Sequence, residues 1–164
     1  MRPLDAKAEV SLEQGDCLEV MGRIPDGSVD MVLCDLPYGV TNRTSEAGKW
    51  DCQIPVEPLW REWLRVAKDN AAVVLFSQGM FTAQLMASRP KLWRYNLVWD
   101  KCRASGFLNS KKMPLRRHED ICVFYRRQPT YNQQLVRCDD PKKQTRSRGR
   151  LLGRKTNRVY GDHK

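Results

Sequence analysis

No stretch of this 164-residue chain is apolar for long enough to span a membrane, and its opening, Met1-Arg2-Pro3-Leu4-Asp5, does not look like a secretory leader. Zinc-ligand spacing is missing as well. There are only two histidines, His118 and His163, and the six cysteines (Cys17, Cys34, Cys52, Cys102, Cys122 and Cys138) are scattered without a CxxC pair. Reduced thiols, several of them on buried strands, fit that scatter. No internal repeat is visible. These absences lead to the expectation of a cytoplasmic protein with no metal site.

What is present suits one domain with a proper core: 41% of residues are hydrophobic and 29% charged. The net charge of +10 is unevenly spread. Residues 1–100 carry 11 Lys/Arg against 14 Asp/Glu, a balance of −3, whereas residues 101–164 carry 18 against 5, a balance of +13. Such asymmetry favours a polyanion, above all nucleic acid, bound through phosphates with release of counterions. A solvated basic tail without a specific partner is the other reading of the same numbers.

In chain order, Ala8–Leu12 reads as a short strand, and Asp16 as the N-cap of a short helix after Gly15. The apolar run Val29–Cys34 reads as a strand after the Pro25-Asp26-Gly27-Ser28 turn. Residues 39–55 have no sustained period and read as a loop. Leu59, Trp60, Trp63, Leu64 and Ala67 then recur at helical spacing over Val56–Ala67, with the tryptophans packing that helix on a sheet. Ala71–Phe76 is a continuous apolar run of the kind found in parallel strands covered on both faces. A helix over Met80–Ala87 ends before Arg89-Pro90. Strands at Tyr95–Trp99 and Glu119–Tyr125 flank a basic loop at about 101–118, and these two strands are expected to pair antiparallel at a sheet edge. The order β, α, β, α predicts an α/β fold with a partial Rossmann-like sheet, helices on both faces, and right-handed crossovers. Beyond about residue 130 the composition turns basic and polar. This divides the chain into a first unit, 1–130, and an extended, poorly ordered segment, 131–164.

The strand Val29–Cys34 delivers Asp35-Leu36-Pro37-Tyr38, with Gly39 next. An acid, a rigid proline and an aromatic ring at the carboxyl end of a strand sit where open α/β sheets keep their ligands. A turn in which Asp35 only satisfies backbone N–H groups is the alternative reading.

Several segments together resemble the amino-methylating DNA methyltransferases. They are Gly15-Asp16-Cys17-Leu18, the run from Asp26 through Asp35-Leu36-Pro37-Tyr38-Gly39, Lys49-Trp50-Asp51, Val74-Leu75-Phe76-Ser77-Gln78, Trp99–Asn109, and Met113–Glu119. The last two resemble especially the bacterial and phage adenine-N6 members. The similarity runs from about residue 12 to about residue 132. It implies that the Asp35 carboxylate and the Leu36 carbonyl accept hydrogen bonds from the exocyclic amine of a flipped base, that Pro37 fixes the turn, and that the Tyr38 ring stacks on the base. The family pattern usually has proline where this chain has Leu36, a change expected to cost stiffness. Lys101, Arg103, Lys111, Lys112, Arg116 and Arg117 are expected to track the phosphates of double-stranded DNA. Trp50 is either a residue of the base pocket or a packing residue. His118-Glu119 is set down to structure, because it precedes a strand.

The resemblance further implies S-adenosylmethionine as methyl donor and DNA methylation of the restriction–modification kind. In the permuted motif order, the glycine loop that binds this donor comes last. The late glycines Gly149, Gly153 and Gly161 form no GxG loop between a strand and a helix. The chain is therefore expected to lack the main donor-binding loop and to be inactive alone. Open alternatives are a non-catalytic DNA-binding remnant and a half completed by a second chain. An uncovered sheet edge makes self-association a further expectation.

Overall fold

A computed structural model describes residues 10–39 and 50–133. Contacts divide the chain into Met1–Thr130 and Tyr131–Lys164. The expectations for the basic segment lie outside the described residues save 131–133, and the loop residues 40–49 lie outside them too.

A short helix α1 spans Cys17–Met21, with Leu18 N–H donating to the Asp16 carboxylate at 2.8 Å, the cap its sequence signals. Residues 10–12, the described part of the expected first strand, form none. Strand β1 covers Val29–Asp35, helix α2 Val56–Val66, β2 Ala67–Ser77 and α3 Met80–Ser88. A long hairpin comes next, made of β3 (Trp93–Ser105), a single 3-10 turn at Phe107–Asn109, and β4 (Arg116–Tyr125). Much of the expected basic loop is thus strand. The helix–strand junction at Val66–Ala67 is fastened by Arg65, whose guanidinium donates to the carbonyls of Met21 and Ile24 at 2.7 and 2.9 Å and so holds the turn that leads into β1.

The sheet order is β1-β2-β4-β3. β1 and β2 are parallel, whereas β4 is antiparallel to both β2 and β3. The antiparallel pair lies at a sheet edge, as its sequence implies, with β3 outermost. It follows that β1, β2 and β3 all run the same way, with β4 inserted in reverse.

Val73, Leu75, Cys122 and Phe124 point to one face and form a single core with Leu59, Trp60 and Trp63 of α2 and with Phe81 and Leu85 of α3. Leu18 and Met21 of α1 pack against that same core. The opposite face bears Met31, Leu33, Leu97 and Trp99, all exposed. Among the described residues the helices therefore cover one face only, not both. The physical reason is the direction of travel. The chain crosses from β1 through α2 to β2, and from β2 through α3 to β3, moving the same way across the sheet each time. Crossovers of one hand moving in one direction set their helices on one side.

Candidate active site

β1 ends at Asp35 beside the end of β2, and the pairing of Ser77 with Asp120 brings the start of β4 to the same edge. The parallel strands' carboxyl ends and the neighbouring residue Glu119 thus converge, although 84 residues separate Asp35 from Glu119 in sequence. Between them lies a cleft of about 460 Å³, lined by Asp35, Leu36, Pro37 and Tyr38 together with Trp50, Asp51 and Glu119. That volume lies within the range of pockets that take a small organic group.

Each residue of the turn is held differently. Leu36 is only 7% exposed and belongs to the hydrophobic core. Its side chain anchors the turn from below, which supplies by burial some of the rigidity that a proline ring would give. The Tyr38 ring packs 5.5 Å from Phe81 at an interplanar angle of 31°. Its hydroxyl donates to Asp35 Oδ1 at 2.9 Å. Burial, and then the hydrogen bond and charge of Asp35, push the Tyr38 phenol far above its ordinary range, with smaller contributions from Glu119. Tyr38 is therefore neutral and a donor at every ordinary pH.

Four residues complete this edge. Asp51 is buried, and it accepts the Gly39 N–H at 2.8 Å, while Gln53 Nε2 donates to the Tyr38 carbonyl at 2.7 Å. The segment after the loop thereby pins the end of the Asp35–Tyr38 turn. Trp50 lines the cleft while 70% exposed, so core packing does not account for it. Glu119 faces the cleft with its carboxylate bonded to Lys101 Nζ at 2.6 Å, and the two side chains are only 14% and 21% exposed. The sequence offers a weak hint for Asp51 in the Trp50-Asp51 doublet; it sets His118-Glu119 down to structure, and Glu119 lines the cleft all the same, because strand register carries it there.

The six predicted DNA-contacting cations separate into two groups. Lys101 is committed to Glu119. Arg117 grips Asp100 with two bonds of 2.8 and 3.1 Å, and that pairing holds the Asp100 carboxyl below its usual range. Arg116 donates to Gln78 Oε1 at 2.7 Å. Arg103, Lys111 and Lys112 are exposed and their side chains have no partner among the described residues.

No family model matches the sequence, and no curated protein matches it. Solved structures do match it in shape. PvuII DNA methyltransferase, cytosine-N4-specific, aligns with a TM-score of 0.54 over 85% of this chain and 61% of its own, at 12% identity. The M1.HpyAVI–SAM complex aligns with a TM-score of 0.51 over 77% of this chain and 60% of its own, also at 12% identity. Across five such structures this chain spans 54–61% of their lengths. The chain has the fold of the DNA methyltransferases.

Proposed function

We propose that this chain carries the amine-presenting part of an S-adenosylmethionine-dependent DNA methyltransferase that acts on a flipped base, adenine N6 in preference to cytosine N4. One observation carries the reading: Asp35, Leu36, Pro37 and Tyr38 line an open cleft at the carboxyl edge of a sheet of methyltransferase shape. The preference for adenine rests on the likeness of Trp99–Glu119 to adenine-N6 members, because the shape match by itself does not choose a base.

The chemistry asks for two acceptors. The lone pair of an exocyclic amine is delocalised into the ring, and hydrogen bonds from both N–H groups favour a tetrahedral nitrogen whose lone pair is available. The Asp35 carboxylate is one acceptor and the Leu36 backbone carbonyl the other. Tyr38 offers its ring face to the base, an interaction worth roughly 1–3 kcal/mol. When bound, the donor supplies an electrophilic sulfonium methyl. Asp35, Asp51 and Glu119 surround the cleft with carboxylates, Glu119 being neutralised by Lys101, and that lining suits the sulfonium end of the donor. No glycine-rich strand-to-helix loop for the nucleoside end occurs among the described residues. Catalysis is accordingly proposed together with residues that supply that surface, from the same polypeptide or from a complementing chain. The cytoplasm of a bacterial or phage-infected cell is the proposed setting, and no helix among the described residues is long and apolar enough to cross a membrane.

The test is methyl transfer into unmethylated duplex DNA, with modified nucleosides identified by mass spectrometry. The 164-residue chain alone should give no product, whereas the chain supplied with a donor-binding portion should give N6-methyladenine. Asp35→Ala should abolish that product. Product independent of Asp35 would overturn the assignment, and N4-methylcytosine would overturn the choice of base. A second reading, DNA occupancy without catalysis, is favoured by Arg103, Lys111 and Lys112, whose side chains no described residue engages. It predicts binding that Asp35→Ala leaves unchanged, with no methylated product under any supplementation.

A further inference from the structure

The β3–β4 hairpin extends past the cleft. Trp99 pairs with Glu119 beside it, and the ladder continues to Ser105 and Arg116, three residues nearer the tip, so the turn stands about 10 Å beyond Glu119. The ladder is irregular there. Between Asp100 and Ser105 the outer strand holds extra residues, and Cys102 takes a φ of 61°, its N–H donating to Asp100 Oδ1 at 2.9 Å. A bulge of this kind bends the strand and re-aims the residues beyond it.

The tip beyond the bulge is closed by its own bonds. Gly106, at φ 85°, takes the left-handed conformation that starts the turn, and Asn109 N–H, Ser110 N–H and Lys112 N–H donate back to Gly106, Phe107 and Asn109 carbonyls at 2.9, 3.0 and 2.8 Å. This closed turn presents Phe107 and Leu108 at 77% and 96% exposure. Single exposed apolar residues are ordinary, but two large neighbours at the apex of a bonded turn leave their burial to something else. From Lys101 to Arg117 the hairpin has six Lys/Arg and no carboxylate. Three of those cations, Arg103, Lys111 and Lys112, lie around the apex with side chains that no described residue engages.

We propose that Phe107 and Leu108 form a wedge that enters the base stack of duplex DNA beside the base presented to the cleft, with Lys111, Lys112 and Arg103 seated on the flanking phosphates. The proposal rests on the DNA-binding reading above. Apolar side chains inserted at a base step unstack it and open the duplex, and the surrounding cations supply the sequence-independent attraction that brings the tip there. The tip and the cleft lie at the same sheet edge, so one duplex can reach both.

An abasic site tests this without knowledge of a recognition sequence, because it offers a gap already unstacked and has no base to flip. Binding of the full chain is compared between a paired duplex and the same duplex with one abasic site, across a range of salt. The wild-type chain should bind the abasic duplex about tenfold more tightly. Phe107→Ala/Leu108→Ala should lose that preference while retaining its affinity for the paired duplex within about threefold, and Lys111→Ala/Lys112→Ala should weaken both duplexes equally with a shallower salt slope. Wild-type binding without abasic preference, or preference kept by the double alanine variant, overturns the wedge alone. Absence of salt-dependent binding to either duplex overturns the DNA reading itself. Alanine-sensitive binding to phosphatidylserine vesicles in place of DNA, or alanine-sensitive dimerisation, would assign the apex to a lipid or protein contact and overturn the wedge.

Discussion

Replacing Lys101 separates two jobs that its position allows. As a phosphate contact, Lys101 would contribute little to folding and about one unit to the salt dependence of DNA binding. As the partner of Glu119, it should do the reverse. The ion pair is short, 2.6 Å, and both side chains are under a quarter exposed. At an effective dielectric of 20 its gross attraction is about 6 kcal/mol, most of which is offset by the cost of removing both charges from water. Lys101→Met leaves Glu119 partly desolvated and without its cation. Complete burial would make that loss about 3–5 kcal/mol, and the residual exposure reduces it to about 2 kcal/mol. Urea unfolding should show this as a lower midpoint at unchanged slope, and a thermal scan as a fall of roughly 6–10 °C. Adding Glu119→Gln should recover a large part of the loss, because the charge left stranded is then gone. The DNA salt slope of Lys101→Met should match the wild type, whereas Lys111→Ala should reduce it by about one. Stability within about 0.5 kcal/mol of wild type, together with a reduced slope, would return Lys101 to the phosphate group and refute the reasoning.

Trp60 is fully buried, meets Trp63 and Phe124 edge-on at 5.2 and 4.9 Å, and donates its indole N–H to Ser88 Oγ at 2.8 Å. Trp60→Ala should cost about 3–5 kcal/mol and leave the chain largely unfolded at 37 °C by circular dichroism, and a native-like melting curve would contradict this core. Asp100 is held by Arg117 below its ordinary value of 3.8, so its stabilisation of the hairpin is present above that value and lost as pH falls through the lower, folded one. Hydrogen exchange at the Cys102 amide should therefore be protected steadily from about pH 5 upward and lose protection only below about pH 4. Asp100→Asn should remove that pH dependence, and an unchanged profile in the variant would rule the pair out as its source.

Local chemistry explains what the sequence makes legible here. The Asp16 cap, the α2 stripe of Leu59, Trp60 and Trp63, and the strand ending at Asp35 each announce themselves within a dozen residues. The sheet face that no helix among the described residues covers does not, because Val73–Phe76 is apolar at both parities and reads as doubly covered whichever way the crossovers travel. Glu119 is hidden for a related reason: only the pairing of Ser77 with Asp120, 43 residues apart, carries it to Asp35. Leu36 shows the converse limit. Read as a letter in a motif, it looks like a lost proline and a looser turn. In the fold its side chain belongs to the same core as Trp60 and Phe81, so the turn is stiffened through packing instead of ring closure. If the Leu36 carbonyl is the acceptor proposed above, its position tolerates such an exchange, because that chemistry depends on where the main chain is held, and a buried leucine can hold it.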